Sequence, residues 1–270
     1  MGDADGGGRA PVIDTTVPQS ARIWNFWLGG SDNYRVDRLA GEAYVRASPA
    51  IVDVARASRA FLARTLRHLA VEAGTRQFLD IGTGLPTAQN THEVAQAVHP
   101  SARVVYVDND PMVLAHARAL LVSRPTGVCD YVNADVHDPD AVLAGAGKTL
   151  DFDEPVGLIL SGILGHVADY DEARDIVARL VGALPDGSHL VLSDGTGVVH
   201  REARRAQDAY NRSGAVPYVL RTPEEIEGFF TGLELVPPGV VSCPLWRPEG
   251  GGEPEPVDQF GGVGRKAGSA

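Results

Sequence analysis

Apolar residues recur along this chain in two alternating patterns, which together predict an α/β fold. Five short, continuous apolar runs are typical of buried strands, at 76–81, 103–108, 129–133, 155–161 and 188–194. Stretches with helical spacing lie between them, at 87–98, 111–122 and 171–184. Strands that alternate with helices in this way favour a mostly parallel, doubly wound sheet with helices on both faces.

Before the first strand the pattern is helical. We predict a short aromatic helix from Ser20 to the glycine pair at 29–30, and the longest helix from Pro49 to Gly74. The arginines of the longest helix fall off its apolar stripe, so we interpret them as a solvated face: Arg56, Arg59, Arg64 and Arg67. The predicted organisation is a disordered or extended stretch over 1–19 and a helical cap over 20–74. We expect the aromatic segment of this cap, at 24–34, to lie near the ligand.

The remaining residues, 75–270, form the predicted sheet domain. A polar helical insertion near 199–214 follows the fifth strand and should stand above the ligand edge of the sheet. Tyr210 and Asn211 are therefore candidates for an acceptor pocket. The C-terminal pattern predicts a strand pair and one last short strand, at 233–236, 240–245 and 260–266.

Composition narrows the class of protein. The chain has 270 residues, of which 44% are hydrophobic and 22% charged, and a net charge of −11. Because a groove for nucleic acid usually carries a basic surplus, a nucleic-acid substrate is disfavoured. Two cysteines are too few for a disulfide framework and have no metal-ligand spacing, so we expect no metal site. No apolar run approaches the roughly 20 residues that cross a bilayer, and the expected location is the cytoplasm.

The stretch FLDIGTGLP at 78–86 carries the first chemical signal. It predicts a strand, a turn containing Gly82 and Gly84, and a helix that begins near Pro86. Such a turn lets a ligand approach the backbone, and a helix start favours a polar or anionic group. A dinucleotide fingerprint needs a third glycine where this chain has Thr87, so NAD is disfavoured. Asp80 can instead accept hydrogen bonds from an ammonium group such as that of S-adenosylmethionine.

Two more acids end the next two strands. Asp108 follows the second strand at about the spacing at which related folds hold a ribose diol. Asp135 follows the third strand, where its carboxylate can accept from an adenine amino group and Val136 can offer apolar contact. The alternative is that each acid merely caps the next helix. Because the carboxyl ends of parallel strands share one edge, we expect Asp80, Asp108 and Asp135 to converge on one ligand.

With these residues identified, the chain resembles a bacterial family of S-adenosylmethionine-dependent methyltransferases long catalogued as a domain of unknown function. The resemblance runs from about 20 to 266, through ARIWNFWLGGSDNYRVDR, RQFLDIGTGLPT and ARVVYVDNDPMVLAHARALL. It implies a class I, Rossmann-like core with a last antiparallel strand and N-terminal helices above it. It also implies cofactor contacts at these positions: Asp80, Gly82, Gly84, Asp108, Asn109, Asp135, Val136 and, in the glycine loop, Gly30, Asp32 and Asn33. Ser161 is a further candidate, because it ends the fourth strand at the same edge of the sheet.

The resemblance leaves the catalytic residues open. In a methyltransferase the sulfonium already carries an activated methyl group, and a base is needed only if the acceptor must lose a proton. His166, after the fourth strand, and Asp194, at the end of the fifth, are the two candidates for that base.

We predict transfer to a small-molecule acceptor, which the motifs do not identify, and they do not indicate an oligomeric state. The alternatives are a catalytically silent regulatory or scaffold protein that binds S-adenosylmethionine and, less favoured, a nicotinamide oxidoreductase.

Overall fold

The computed structural model describes residues 13–86, 89–120, 123–250, 252 and 254–268. Its strands are β1 (Gln77–Ile81), β2 (Arg103–Asp108), β3 (Val128–Asn133), β4 (Val156–Ser161), β5 (His189–Gly195), β6 (Glu234–Leu235), β7 (Val241–Ser242) and β8 (Gln259–Arg265). Its helices are α1 (Ser20–Trp27), α2 (Arg35–Ala47), α3 (Ile51–Val71), α4 (Thr91–Val98), α5 (Pro111–Leu120), α6 (Pro139–Ala146), α7 (Tyr170–Gly182), α8 (Ala203–Tyr210) and α9 (Pro223–Gly228). Short 3-10 turns follow at Leu164–His166 and Cys243–Leu245. The expectation of disorder at 1–10 lies outside the described residues.

The strands form one sheet with the order β3-β2-β1-β4-β5-β8-β6. Strands β1 to β5 pair in parallel, and β8 pairs antiparallel with β5, which confirms the predicted fold class. The order of the strands reverses between β1 and β4, and ligands of doubly wound sheets bind in the crevice above such a point.

The predicted pairing of 233–236 with 240–245 is wrong. Strands β6 and β7 both pair with β8, β6 at Arg265 and Gly264 and β7 at Gly261 and Phe260. Each has only two residues, so they lie one after the other along the free edge of the longer strand β8. The sequence pattern showed two extended segments but not which edge would accept their hydrogen bonds.

Side chains of the parallel strands alternate between two apolar cores, as expected for a sheet buried on both faces. Leu79 and Leu158 face a core built with α6, α7 and α9, whereas Phe78 and Tyr106 face a core built with α3, α4 and α5. This alternation decides where the strand-end acids point. Asp80 and Asp108 lie on the same face of the sheet as Phe78 and Tyr106, toward α3 and α4, because each comes two residues after one of them.

Two helix starts differ from the prediction. Helix α4 begins at Thr91 and not directly after the glycine turn, because the backbone N–H of Asn90 donates to Glu93 Oε2 at 2.8 Å in a capping box. The sequence N-T-H-E at 90–93 is the signal that marks this start. The predicted first residue, Thr87, lies outside the described residues. Helix α6 was not predicted, although Asp138 followed by Pro139 begins it with a side-chain cap.

The aromatic segment at the N-terminus packs together with α8. Ile23 and Trp27 of α1, Tyr44 of α2 and Tyr210 of α8 belong to a third buried apolar cluster. Tyr44 donates from its hydroxyl to Gln207 Oε1 of α8 at 3.2 Å. The start of α3 belongs to the same cluster through Ile51, Val54 and Ala55, whereas the rest of α3 packs against the sheet. Among the described residues, no helix combines the length and apolar character that crossing a membrane requires.

Candidate active site

A cavity of about 260 Å³ opens at the carboxyl ends of β1, β2 and β4, beside the reversal of strand order. Its volume is close to the lower end of the range for ligand pockets, roughly 300–1,000 Å³. Most of the predicted cofactor residues line it: Asp80, Gly82, Gly84, Asp108, Asn109, Asp135, Val136 and Ser161. The strand tips therefore meet at one cavity, as the shared edge of parallel strands predicts.

The glycine turn needs glycine for two different reasons. Gly82 and Gly84 both have positive φ angles, +72° and +65°. A Cβ on Gly82 would also lie 2.6 Å from Ile163 Cγ1, so β1 and the residues after β4 approach here too closely for a side chain. A Cβ on Gly84 would meet no atom within 4 Å, which leaves its backbone open toward a ligand.

Asp80 is a buried carboxylate at the floor of the cavity, with 6% of its surface exposed. The hydroxyl of Thr91, the first residue of α4, donates to its Oδ2 at 2.5 Å. Burial raises the pKa of Asp80 to about 6, against the opposing effects of the Thr91 hydrogen bond and the positive charge of Arg59. A cation in the cavity would favour the ionised form of this acid.

Asp108 holds the glycine turn against the second strand. Its Oδ2 accepts from the backbone N–H of Gly84 at 3.0 Å, and its Oδ1 accepts from the N–H of Asp110 at 2.9 Å. Burial raises the pKa of Asp108 to about 6 although both backbone hydrogen bonds oppose this. Each carboxylate oxygen has two lone pairs, so Asp108 retains capacity to accept from a ligand diol.

Asp135 lies at the more open side of the cavity and is held by two neighbours. Asn109 Nδ2 donates to its Oδ2 at 2.7 Å, and the backbone N–H of His137 donates to its Oδ1 at 3.0 Å. The ring Nδ1 of His137 is also 2.6 Å from Asp135 Oδ1. Partial burial acts to raise the pKa of Asp135, but these contacts with His137 and Asn109 outweigh it and the pKa is lowered. Asn109 therefore links the second strand to the third and orients Asp135.

The cavity also contains residues that the sequence patterns missed. Arg59 of α3 lines it and is the only Lys or Arg among the described residues that do. Burial lowers the pKa of Arg59, while the nearby carboxylate of Asp80 acts in the opposite direction.

The predicted solvated face of α3 is also wrong for Arg64, which donates to the carbonyls of Trp246 at 3.0 Å and Cys243 at 2.6 Å. Helical periodicity places an arginine off the apolar stripe but does not show whether that side faces water or a cavity.

The glycine loop after α1 supports the cavity without lining it. Gly30, Asp32 and Asn33 are not among the lining residues, whereas Asn25 of α1 is. Asn33 Nδ2 donates to Asn25 Oδ1 at 2.8 Å, and a Cβ on Gly30 would lie 2.4 Å from Asn25 Nδ2. The loop residues thus fix the side chain of Asn25. Asp32 lies at the surface, with its Oδ2 4.0 Å from His116 Nδ1.

Ser161 lies at the tip of β4 and lines the cavity. Its Oγ is 3.0 Å from Ser193 Oγ on β5, so it forms part of a hydroxyl pair across the two strands.

The two candidate bases are in different surroundings. His166 lines the cavity, and its Nδ1 is 2.9 Å from the carbonyl oxygen of Pro217. Because a carbonyl only accepts, Nδ1 carries the proton of the neutral ring and Nε2 keeps its lone pair. Burial lowers the pKa of His166, which favours this neutral form.

Asp194 is not brought to the cavity. It is fully buried and accepts from the hydroxyl of Tyr218, from Arg221 Nη1 at 3.3 Å and from the N–H of Gly165 at 3.3 Å. It follows Leu192 on the opposite face of the sheet from Asp80, and strand alternation therefore directs it away. We do not propose it as a base.

A second, smaller pocket adjoins the cavity, and we call it the aromatic pocket. It has a volume of about 50 Å³, and five rings line it besides that of His166: Trp24, Trp27, Tyr44, Tyr210 and Tyr218. Ser20, Trp24 and His166 line both the cavity and the aromatic pocket. Of the two predicted acceptor residues, Tyr210 lines this pocket and Asn211 does not. Asn211 instead accepts from the N–H of Tyr218 at 3.0 Å.

The fold and the cavity together define a class of protein. Five parallel strands, an antiparallel strand beside β5 and acids at successive strand tips above a glycine turn are the features of a class I methyltransferase. The family model for S-adenosyl methyltransferases matches residues 7–267. The chain belongs to this family and is an S-adenosylmethionine-dependent methyltransferase, which confirms the resemblance found in the sequence.

Solved structures agree with this assignment. A DUF574 family protein from Streptomyces avermitilis is 45% identical, covers 94% of this chain and 99% of its own, and superposes with a TM-score of 0.89. A protein from Thermobifida fusca, provisionally classed as a methyltransferase, is 39% identical over 94% of this chain and 97% of its own, with a TM-score of 0.87. The N-methyltransferase NodS from Bradyrhizobium japonicum shares the fold at 17% identity, over 78% of this chain and 97% of its own, with a TM-score of 0.50. No curated protein matches the chain.

The charged side chains that line the cavity match the charged groups of S-adenosylmethionine. The methionine part of the cofactor carries an ammonium, a carboxylate and a sulfonium, and the cavity offers buried acids together with one guanidinium, Arg59. The open backbone at Gly84 gives an extended ligand room to pass. When bound, this cofactor supplies an activated methyl group on a positively charged sulfur.

Proposed function

We propose that this methyltransferase acts on a small molecule, with His166 as the group that removes a proton from it. The observation that carries the proposal is the junction between the two spaces. Ser20, Trp24 and His166 line both the cavity that fits the cofactor and the adjoining aromatic pocket, whose volume of about 50 Å³ admits only a small group.

We assign the parts of the cofactor to the walls of the cavity by charge and hydrogen-bonding capacity. Asp108 with Asn109 takes the ribose diol, and Asp135 with Val136 takes the adenine, as their order along the sheet edge suggests. Asp80 takes the ammonium group, because it is a buried acid at the tip of β1, directly before the glycine turn in the chain. Arg59 takes the carboxylate, because a buried carboxylate needs a cationic partner.

His166 suits the acceptor side because the structure defines its tautomer. The carbonyl of Pro217 holds Nδ1–H at 2.9 Å, so Nε2 is free to accept a proton. The His166 ring also packs at a right angle to the Tyr218 ring, with centroids 5.1 Å apart, which limits its rotation. A base held in this way contributes about 10²- to 10⁴-fold to a rate that depends on proton removal.

The proposal is tested with methyl-labelled S-adenosylmethionine and a cell extract separated into low-molecular-mass, protein and nucleic-acid fractions. We expect label only in the low-molecular-mass fraction, and label in protein or nucleic acid instead would overturn the small-molecule assignment. His166→Gln should bind S-adenosylhomocysteine as tightly as wild type while its labelling rate falls about 100-fold or more. An unchanged rate would remove His166 as the base.

A further inference from the structure

Four aromatic rings that line the aromatic pocket pack against one another edge to face. Trp24 and Trp27 have centroids 5.6 Å apart at 69°, Trp27 and Tyr44 5.2 Å apart at 66°, and Tyr44 and Tyr210 6.0 Å apart at 69°. All four rings line the pocket. The lining therefore presents ring faces and ring edges in several directions, and the face of an aromatic ring carries partial negative charge.

The charge of the lining has one sign. Among the described residues that line the pocket, Asp258 is the only Asp, Glu, Lys or Arg. Its carboxylate is 6% exposed and accepts from the N–H groups of Val198, Val199 and His200 at 2.8–2.9 Å. The hydroxyl of Thr196 also donates to it at 3.3 Å, and the ring Nδ1 of His200 is 2.8 Å from its Oδ2. A fixed acid and several ring faces favour a cation and disfavour a carboxylate or phosphate.

The volume limits the size of that cation. A cavity of about 150 Å³ takes a benzene ring, or about 25 Å³ for each carbon. The aromatic pocket, with about 50 Å³, therefore holds a head group of roughly two or three heavy atoms and no ring. An N-methylated amine head has this size, whereas a phenol does not.

Building on the proposed function, we propose that the aromatic pocket binds the head group of a small aliphatic amine and that its nitrogen is the methylated atom. The amine enters as an ammonium ion, which the rings and Asp258 attract. It reacts only as the neutral base, because the lone pair must form the new bond. Nε2 of His166, at the junction, accepts the proton that the ammonium loses.

The reaction then balances without a further reactant. The nitrogen lone pair forms the N–C bond, the electrons of the broken C–S bond remain on sulfur, and the product leaves as a methylated ammonium ion. The small volume admits a nitrogen with one or two methyl groups, so the expected product is a tertiary rather than a quaternary amine.

Calorimetry on wild-type protein saturated with S-adenosylhomocysteine tests the charge preference directly. The probes are 2-(methylamino)ethanol, which is cationic at neutral pH, and butan-1-ol, which has the same heavy-atom skeleton without the charge. We expect the amine to bind at least about tenfold more tightly. Equal binding, or tighter binding of the alcohol, would overturn the inference. The labelling of the low-molecular-mass fraction, described above, reports separately on the proposed function.

Two substitutions at Tyr210 separate the ring from the hydroxyl. Tyr210→Leu removes one ring of the pocket and should lower the affinity for the amine about fivefold or more. Tyr210→Phe keeps the ring, and its affinity for the amine should stay within about twofold of wild type. Both variants should bind S-adenosylhomocysteine unchanged, because Tyr210 does not line the cavity. Equal losses in both variants, or none in Tyr210→Leu, would contradict the inference. If Tyr210→Leu does not fold, the wild-type comparison of amine and alcohol still decides.

Discussion

The cavity for the cofactor and the aromatic pocket adjoin each other but are built in opposite ways. The cavity takes its polar groups from the tips of neighbouring strands, at Asp80, Asp108 and Asp135, which follow one another along the chain. The aromatic pocket takes Trp24 from α1, Tyr44 from α2 and other rings from residues nearly two hundred positions later.

This difference separates a general function from a particular one. Strand tips of a parallel sheet share an edge in any protein of this fold, so the cavity follows from the strand order. The pocket depends on how α1, α2 and α8 pack together, which can vary without disturbing the sheet. We therefore expect substitutions in the cavity to change cofactor affinity and substitutions in the pocket to leave it intact.

The largest effect should come from Asp108, because it both faces the ligand and holds the glycine turn. Asp108→Ala should weaken S-adenosylhomocysteine binding about 10- to 150-fold, since hydrogen bonds to a charged group contribute about 1.5–3 kcal/mol. Calorimetry measures the affinity, and circular dichroism confirms that the fold is retained. Asp108→Asn should lose less, because its carbonyl oxygen can still accept from Gly84. Wild-type affinity in Asp108→Ala would remove this residue from the site.

Arg59 should discriminate between ligands with and without a carboxylate. Arg59→Gln should lower the affinity for S-adenosylhomocysteine about tenfold. Its affinity for 5′-methylthioadenosine, which lacks the amino-acid part, should stay within about twofold of the wild-type value. Arg56→Gln is the matched control, since Arg56 lies on the same helix with 70% of its side chain exposed. If Arg59→Gln weakens both ligands equally, Arg59 supports the cavity rather than the carboxylate.

The affinity for S-adenosylhomocysteine should fall as the pH is lowered through about 6, the value to which burial raises the pKa of Asp80. Below that pH the free protein holds a neutral Asp80, and binding an ammonium group must first remove its proton. The cost is about 1.4 kcal/mol for each pH unit, so affinity at pH 5 should be about tenfold lower than at pH 7.

Asp80→Asn should bind more weakly at pH 7 and lose much of this pH dependence, with Asp108 accounting for the remainder. A steep dependence that survives in Asp80→Asn would show that another group controls it.

The smallest effect should come from Asn33, which acts on the cavity only through Asn25. Asn33→Ala removes the donor 2.8 Å from Asn25 Oδ1. It should lower the affinity for S-adenosylhomocysteine about threefold to fivefold, which corresponds to the free energy of about one neutral hydrogen bond. Asp32→Ala, one residue earlier at the surface, should stay within about twofold. Equal effects of the two substitutions would contradict a specific role for Asn33.

Two errors of prediction show where a linear pattern is insufficient. The helix after the glycine turn begins at Thr91, because the capping pair Asn90 and Glu93 overrides the proline that suggested an earlier start. Arg59 was assigned to a solvated face, yet it lines the cavity. In both cases the residue types were visible in the sequence, but the competing partner lay elsewhere along the chain or across space.

By itself, the sequence determined the class I fold, the cofactor class and the acids at successive strand tips. Short apolar runs, glycines with obligatory turns and strand-end carboxylates are local features, and the parallel sheet carries them to one edge. Only the tertiary structure decided that Asn25 and Arg59 line the cavity, that Asp194 is buried on the other face of the sheet, and that His166 lines both the cavity and the aromatic pocket. These facts depend on which face of each strand or helix points toward the cavity, and contacts between residues distant in the chain fix that orientation.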